Sequence, residues 1–140
     1  MDLKFKYMLM LVIALLILPY LNTVIVNATW QQDIDSGEYT SVTAIAYLDS
    51  TGRYGWARGA ANNFGDKHSA WTYFKFDADG AVFYSNVVLL HPGESYDTGD
   101  IPKPSSTANF FVGASVWTVV VFYDGTEKED ARAWAIANRG

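Results

Sequence analysis

The feature that most constrains this chain is a period of two. In residues 39–48, YTSVTAIAYL, the set Val42, Ala44, Ala46 and Leu48 alternates with Thr43, Ile45 and Tyr47. In an extended chain that spacing sends the two sets to opposite faces. Residues 53–60 repeat the rhythm with Tyr54, Trp56 and Arg58 against Gly55, Ala57 and Gly59. In residues 69–77, Phe74 and Phe76 oppose Trp71, Tyr73 and Lys75, and the phenylalanine pair is the better core face. Residues 81–90 and 108–123 complete the series, with 116–123 apolar enough for a central strand and a break or bulge expected at Gly113. DSTG at 49–52 and DADG at 77–80 are turn signals, and Asp-Gly favours a tight hairpin.

Residues 91–107 hold three of the four prolines and read as a long loop with a short edge strand near 95–98. The end of the chain is ambiguous. Arg132, Trp134 and Ile136 alternate with alanines as in a strand, whereas Thr126 and Glu129 form a capping box and alanine favours a short helix. The alternation favours the strand. No strand–helix–strand alternation is visible. The expected fold is all-β: an antiparallel β-sandwich, immunoglobulin-like in the broad sense, over residues 39–140. Its expected core includes Ile45, Phe74, Phe76, Val88, Leu90, Val120 and Phe122. At 140 residues the chain has room for one such domain.

Residues 1–28 differ in kind. Lys4 and Lys6 precede an unbroken apolar run at 7–18, Pro19 ends it, and Val26-Asn27-Ala28 supplies a cleavage-like end. This is the layout of a secretory signal peptide. The alternative is a membrane anchor helix, since residues 7–26 approach the roughly 20 residues needed to span a bilayer. Both place the remainder outside the cytoplasm, secreted in the first case and membrane-anchored in the second. Residues 29–38 are polar and are expected to form a linker or N-terminal arm.

Charge and cysteine content exclude several functions. The chain has 10 Lys and Arg against 15 Asp and Glu. Setting aside Lys4, Lys6 and Asp2 leaves eight against fourteen beyond residue 28, with no basic cluster. Nucleic acid and anionic lipid are therefore disfavoured partners, and the membrane enters only through residues 7–26 if they are retained. With no cysteine, thiolate chemistry and disulfide staples are excluded and the core must supply stability. An exported, cysteine-free domain suits a bacterial protein.

Catalytic and metal motifs are weak. DADG departs from a calcium loop at Ala81 and Val88. Glu94, Asp97 and Asp100 form an acidic loop better read as solvated than as a calcium site. His68 and His91 are too far apart in sequence, and too few, for a zinc site. Neighbouring sets such as Asp66, His68 and Ser69, or His91, Ser95 and Asp97, cannot readily adopt relay geometry. No enzyme activity, metal or other cofactor is expected.

The candidate ligand-binding residues are Tyr54, Trp56, Arg58, Asn62, Asn63, Trp71 and Tyr73. Aromatic faces suit the CH side of a sugar ring, while amides and guanidinium suit its hydroxyls. The short connection at 60–69 suggests that the Tyr54/Trp56/Arg58 and Trp71/Tyr73 faces merge into one patch. The plainer alternative puts Trp56 in the core and moves the site to residues 91–107 around Tyr96. The leading expectation is an exported non-catalytic surface or binding module for a glycan, cell-wall or protein ligand. The alternatives are a secreted toxin, bacteriocin or membrane-active protein, a small enzyme or enzyme inhibitor, and a subunit that assembles by strand addition.

Overall fold

The alternation becomes pleated sheet in a computed structural model, which describes residues 29–104 and 106–139 together with Lys4. In chain order the strands are β1 (Thr29–Ser36), β2 (Thr40–Leu48), β3 (Gly55–Asn63), β4 (Ser69–Ala78), β5 (Ala81–Leu90), β6 (Ser95–Asp97), β7 (Ile101–Pro102), β8 (Phe111–Val121) and β9 (Glu127–Asn138). They form two antiparallel sheets. Sheet A has the order β1-β2-β3-β6, with β7 also on β3; sheet B has the order β5-β4-β8-β9. The two pack face to face as a β-sandwich.

Side-chain size explains which parity faces inward. Phe74 and Phe76 of β4 fill the middle of the core. Sheet A meets them with small residues: Ala44 and Ala46 from β2, and Ala57, Gly59 and Ala61 from β3. At Gly59 the approach leaves no space for a methyl group, since a Cβ would lie 2.6 Å from Phe74 Cδ1 and 2.7 Å from Val116 Cγ2. The alanines at 131, 133, 135 and 137 do the same for β9. The larger alternates of β2 and β3, including Ile45 and Trp56, are therefore displaced to the outer face.

Two hairpin details set the register. Asp79 (φ 51°) and Gly80 (φ 84°) occupy the left-handed region, as a two-residue type I′ turn requires. The β4–β5 register then shifts between Phe76 and Asp77, leaving Phe83 as a bulge whose ring contacts Phe76 at 6.4 Å. A second shift, between Thr118 and Val119, leaves Asp130 of β9 without a strand partner.

That second bulge joins the sheets. Asp130 turns its carboxylate into the β1–β2 connection and accepts from the backbone N–H groups of Glu38 (2.9 Å), Tyr39 (3.1 Å) and Thr40 (2.7 Å) and from Thr40 Oγ1. Thr40 Oγ1 also meets Thr118 Oγ1 at 2.7 Å across the core. Gly37 is needed here, because a Cβ would collide with the Asp130 backbone oxygen. Beyond this point β1 runs along the margin of β9. Asp35 accepts from Arg132 N–H (2.9 Å), Asp33 from Trp134 N–H (2.8 Å), and Thr29 Oγ1 donates to Asn138 O (2.6 Å).

Several expectations change. Residues 29–36 are not an arm: they pair with β2 over their whole length. The strand placed at 53–60 begins at Gly55 and ends at Asn63. Ile45 is half-buried on an outer face, and Phe122 is half-buried just beyond β8. Gly113 lies in an unbroken stretch of β8, and its bare Cα admits Asp77, whose Oδ1 lies 2.5 Å from where a Cβ would stand. The final segment is strand β9; packing of its alanine face against sheet A outweighs alanine's helix preference. The signal or anchor expected at 1–28 lies outside the described residues, Lys4 excepted.

Candidate functional site

The outer face of sheet A gathers the aromatic candidates. Register places Trp30, Tyr47, Trp56 and Pro102 in one row across β1, β2, β3 and β7. Tyr47 and Trp56 stack at 5.8 Å and 21°, and Trp30 is 52% exposed. The turn before β3 adds Tyr54. Asp49 organises that turn: its carboxylate accepts from Thr51 Oγ1 (2.9 Å) and from the N–H groups of Arg53 (3.1 Å) and Tyr54 (3.3 Å). Burial works to raise the Asp49 carboxyl, but these bonds outweigh it and hold the group below the usual carboxylate range. Gly52 closes the turn with φ 72°. Tyr54 is left 66% exposed.

Between this turn and β7 lies a cleft of ≈ 500 Å³, lined by Tyr47, Tyr54, Trp56, Pro102, Lys103 and Pro104, with Arg53 and Asp100 also on its wall. Lys103 is nearly buried and donates Nζ–H to Thr107 O at 2.8 Å. Burial pushes its ammonium below the usual lysine range, partly offset by Asp49 and Asp79.

Arg58 lies one pair further along β3. Its Nε and Nη2 donate to Asp97 Oδ1 (3.0 Å) and Oδ2 (2.7 Å), and Nη1 lies 3.7 Å from Asp100 Oδ1. The Arg58 hydrogen bond draws the Asp97 carboxyl down, and the same bond raises Arg58. Past Arg58, Asn62 Oδ1 accepts from Ser95 Oγ at 2.9 Å. It lines a second, hydroxyl-rich groove of ≈ 420 Å³ with Ser41, Thr43 and Asp97.

Tyr54, Trp56, Arg58 and Asn62 thus share one surface, and the other candidates do not. Asn63 points inward and is fully buried, donating to His68 O (2.8 Å) and Leu90 O (3.0 Å) and accepting from Gly65 N–H (3.1 Å). It is a staple for the 64–68 connection. Trp71 and Tyr73 lie on the outer face of sheet B. There Tyr73 stacks on Trp117 at 5.2 Å and 4°, and Arg132 covers Trp117 at 4.9 Å. The connection after β3 crosses from one sheet to the other, so the two aromatic faces point in opposite directions and form no common patch.

Tyr96 is no surface alternative either: its ring packs toward Phe74 at 5.4 Å and its hydroxyl accepts from Asn86. The acids weighed for calcium are engaged locally, Asp97 and Asp100 by Arg58 and Glu94 by the His91 N–H. Ser69 Oγ does come within 3.1 Å of His91 Nδ1, a pairing of residues that sequence alone placed in different sets. No carboxylate among the described residues hydrogen-bonds that imidazole.

Trp30 and Tyr47 were missed. Tyr47 was legible in principle, as the outward alternate of β2 that the connection at 49–54, begun by DSTG, brings opposite Trp56. Trp30 had no such signal, because its strand is polar on both faces. No protein family, curated protein or solved structure matches the chain.

Proposed function

We propose that the protein is an exported, non-catalytic binding module that holds a neutral glycan, of a cell wall or a glycosylated partner, on the outer face of sheet A. The observation that carries this reading is the cleft where Tyr54 and Trp56 stand beside Arg53 and Asp100, with Arg58 Nη1 3.7 Å from Asp100 Oδ1 at its border. A pyranose has an apolar CH face and a rim of hydroxyls. The rings offer the first a stacking surface, and the Arg58–Asp97–Asp100 cluster offers the second donors and acceptors of both signs. The rigid strands β2 and β3 fix the rings, which limits the ordering cost of binding. The chain's net charge of −5 disfavours an anionic polymer.

The same proposal includes removal of residues 1–28 on export, which places the new N-terminus at the first residue of β1. It also includes an immunoglobulin-like topology: β2, β3 and β6 take the places of strands A, B and E, and β5, β4, β8 and β9 those of C′, C, F and G, with β1 added before A.

The test is binding of the purified full-length chain to insoluble and soluble polysaccharides, peptidoglycan included. Trp56→Ala should weaken binding by roughly 1–3 kcal/mol and leave the circular dichroism spectrum unchanged. Binding that survives Trp56→Ala but is lost in Trp71→Ala would move the site to sheet B, whose aromatic outer face suits the protein-ligand alternative. No retention on any glycan would overturn the proposal.

A further inference from the structure

A strand at the margin of a sheet leaves alternate N–H and C=O groups unpaired, which makes it a template for another strand. Three margins of this sandwich are blunted. The outward N–H groups of β9 are taken by Asp33 and Asp35 from β1, which is itself acidic. β6 and β7 are three and two residues long, carry Asp97 and Pro102, and are separated by Gly99. The fourth margin, β5, is ten residues of AVFYSNVVLL with no charge, proline or glycine.

Register fixes where its free groups point. Ala78 and Ala81 close the type I′ turn, Phe83 bulges, and Tyr84, Asn86 and Val88 then face Phe76, Phe74 and Thr72. Alternation along an antiparallel pair turns the N–H and C=O groups of Ser85, Val87 and Leu89 away from β4. The Val87 N–H accordingly finds only the preceding side chain, Asn86 Oδ1, at 2.9 Å. Ser85 is exposed and Val87 is 48% exposed.

We propose that β5 is a self-association edge, on which a second copy of this chain pairs antiparallel about a twofold axis and joins the two copies of sheet B into one continuous sheet. A twofold axis sets the strand against itself, so the outward N–H groups of one copy meet the outward C=O groups of the other without further ingredients. Charge permits the same occupant at this edge and at no other long margin. Two copies that each carry −5 repel across most of their surfaces, and β5 is the long margin that adds nothing to that repulsion. The pairing sets Val87 beside its counterpart and Leu89 beside the partner's Ser85, so the outer face of sheet B runs on across the axis. Asn86 releases the Val87 N–H as the incoming carbonyl arrives. The glycan surface lies on the other sheet and stays open in the dimer, which would present two binding faces on one rigid body.

The absence of cysteine makes the test clean, since one introduced thiol reports only on its own position. In the full-length chain, Val87→Cys should form disulfide-linked dimers under mild oxidation, while Ser85→Cys, set roughly 14 Å from its counterpart along the paired strands, and Gln32→Cys on the far side of the sandwich should not. Sedimentation should find a wild-type dimer, and Val87→Lys, which opposes like charges across the axis, should weaken association by about tenfold or more. Ser85→Lys is the second variant should Val87→Lys alter the spectrum of the fold. A wild-type chain that sediments as a monomer at all concentrations overturns the proposal, as does a dimer untouched by both lysines or cross-linked equally well through Gln32→Cys. Capture of an unrelated extended peptide by β5, with no self-association, would overturn it too.

Discussion

β9 and β5 are the two margins of the same sheet, and they are finished in opposite ways. β9 presents its outward N–H groups to carboxylates of β1, with Asp130 of its own bulge anchoring the connection that starts β2. β5 keeps its outward groups for whatever comes, apart from one bond to Asn86. The contrast teaches that an edge can be closed by side chains as well as by another strand. A row of aspartates at every second position supplies acceptors at the spacing at which an edge strand supplies donors.

The largest expected effect comes from breaking the closed side at its anchor. Asp130→Ala removes the acceptor for three backbone N–H groups and the Thr40 hydroxyl, three of these four bonds part-buried, and should cost about 3 kcal/mol in a urea titration. A loss under about 1 kcal/mol would mean that water replaces the carboxylate freely. Next, Asp33→Ala with Asp35→Ala should cost about 1 to 2 kcal/mol. Amide exchange should then accelerate at Arg132 and Trp134 more than at their neighbours Ala133 and Ala135, whose N–H groups face β8. Equal protection at all four sites would show that the aspartates do not close this edge.

A smaller, pH-dependent effect sharpens the comparison at the start of β5. Asp79 accepts from Phe110 and Phe111 N–H (2.8 and 3.0 Å) and from Asn109 Nδ2 (3.0 Å). Burial works to raise its carboxyl, yet the Asn109, Phe111 and Phe110 bonds and the nearby Arg139 bring it below the usual range. A folded value below the unfolded one means stability that is present above the unfolded carboxylate pKa, near 4, and lost as pH falls through the folded value. Asp79→Asn tolerates the positive φ, so its deficit against wild type should be visible at neutral pH and shrink toward pH 3. A deficit that is constant with pH would assign the effect to geometry and not to charge. The smallest change is in Val87→Lys, which should leave the stability of a single copy, measured at concentrations too low for pairing, within about 0.5 kcal/mol, because the open edge bears on association and not on the fold of one copy.

The chain disclosed its fold unevenly, for physical reasons. β2, β4 and β5 carried alternation and an Asp-Gly turn, both local, and the Phe74/Phe76 face was the inward one because nothing larger competed for it. Ile45 misled because both parity sets of β2 are apolar. The choice between them depends on how closely Phe74 and Val116 approach from the other sheet, which no window along β2 contains. Trp56 points out for the same cause, since Gly59 on the opposite face is held against Phe74. β1 was invisible because it buries almost nothing; it is a strand because β2 lies on one side and the N–H row of β9 on the other. The separation of Trp56 from Trp71 turned on which sheet received β4, a choice made by pairing with β8 some forty residues later. Asn63 passed for a surface amide because its three partners come from residues 65, 68 and 90.

The bond from Thr29 to Asn138 has a consequence for how this domain can be carried. It sets the beginning of β1 against the end of β9, so the chain enters and leaves the sandwich at one corner. A short linker joining those two points would leave both sheets uninterrupted, and the chain could then be opened at the Asp79–Gly80 turn to give a circular permutant with the same core. By the same geometry the domain could be spliced as a single insert into a surface loop of a host protein, hanging from two adjacent stems that stand beside the Trp30–Tyr47–Trp56 row.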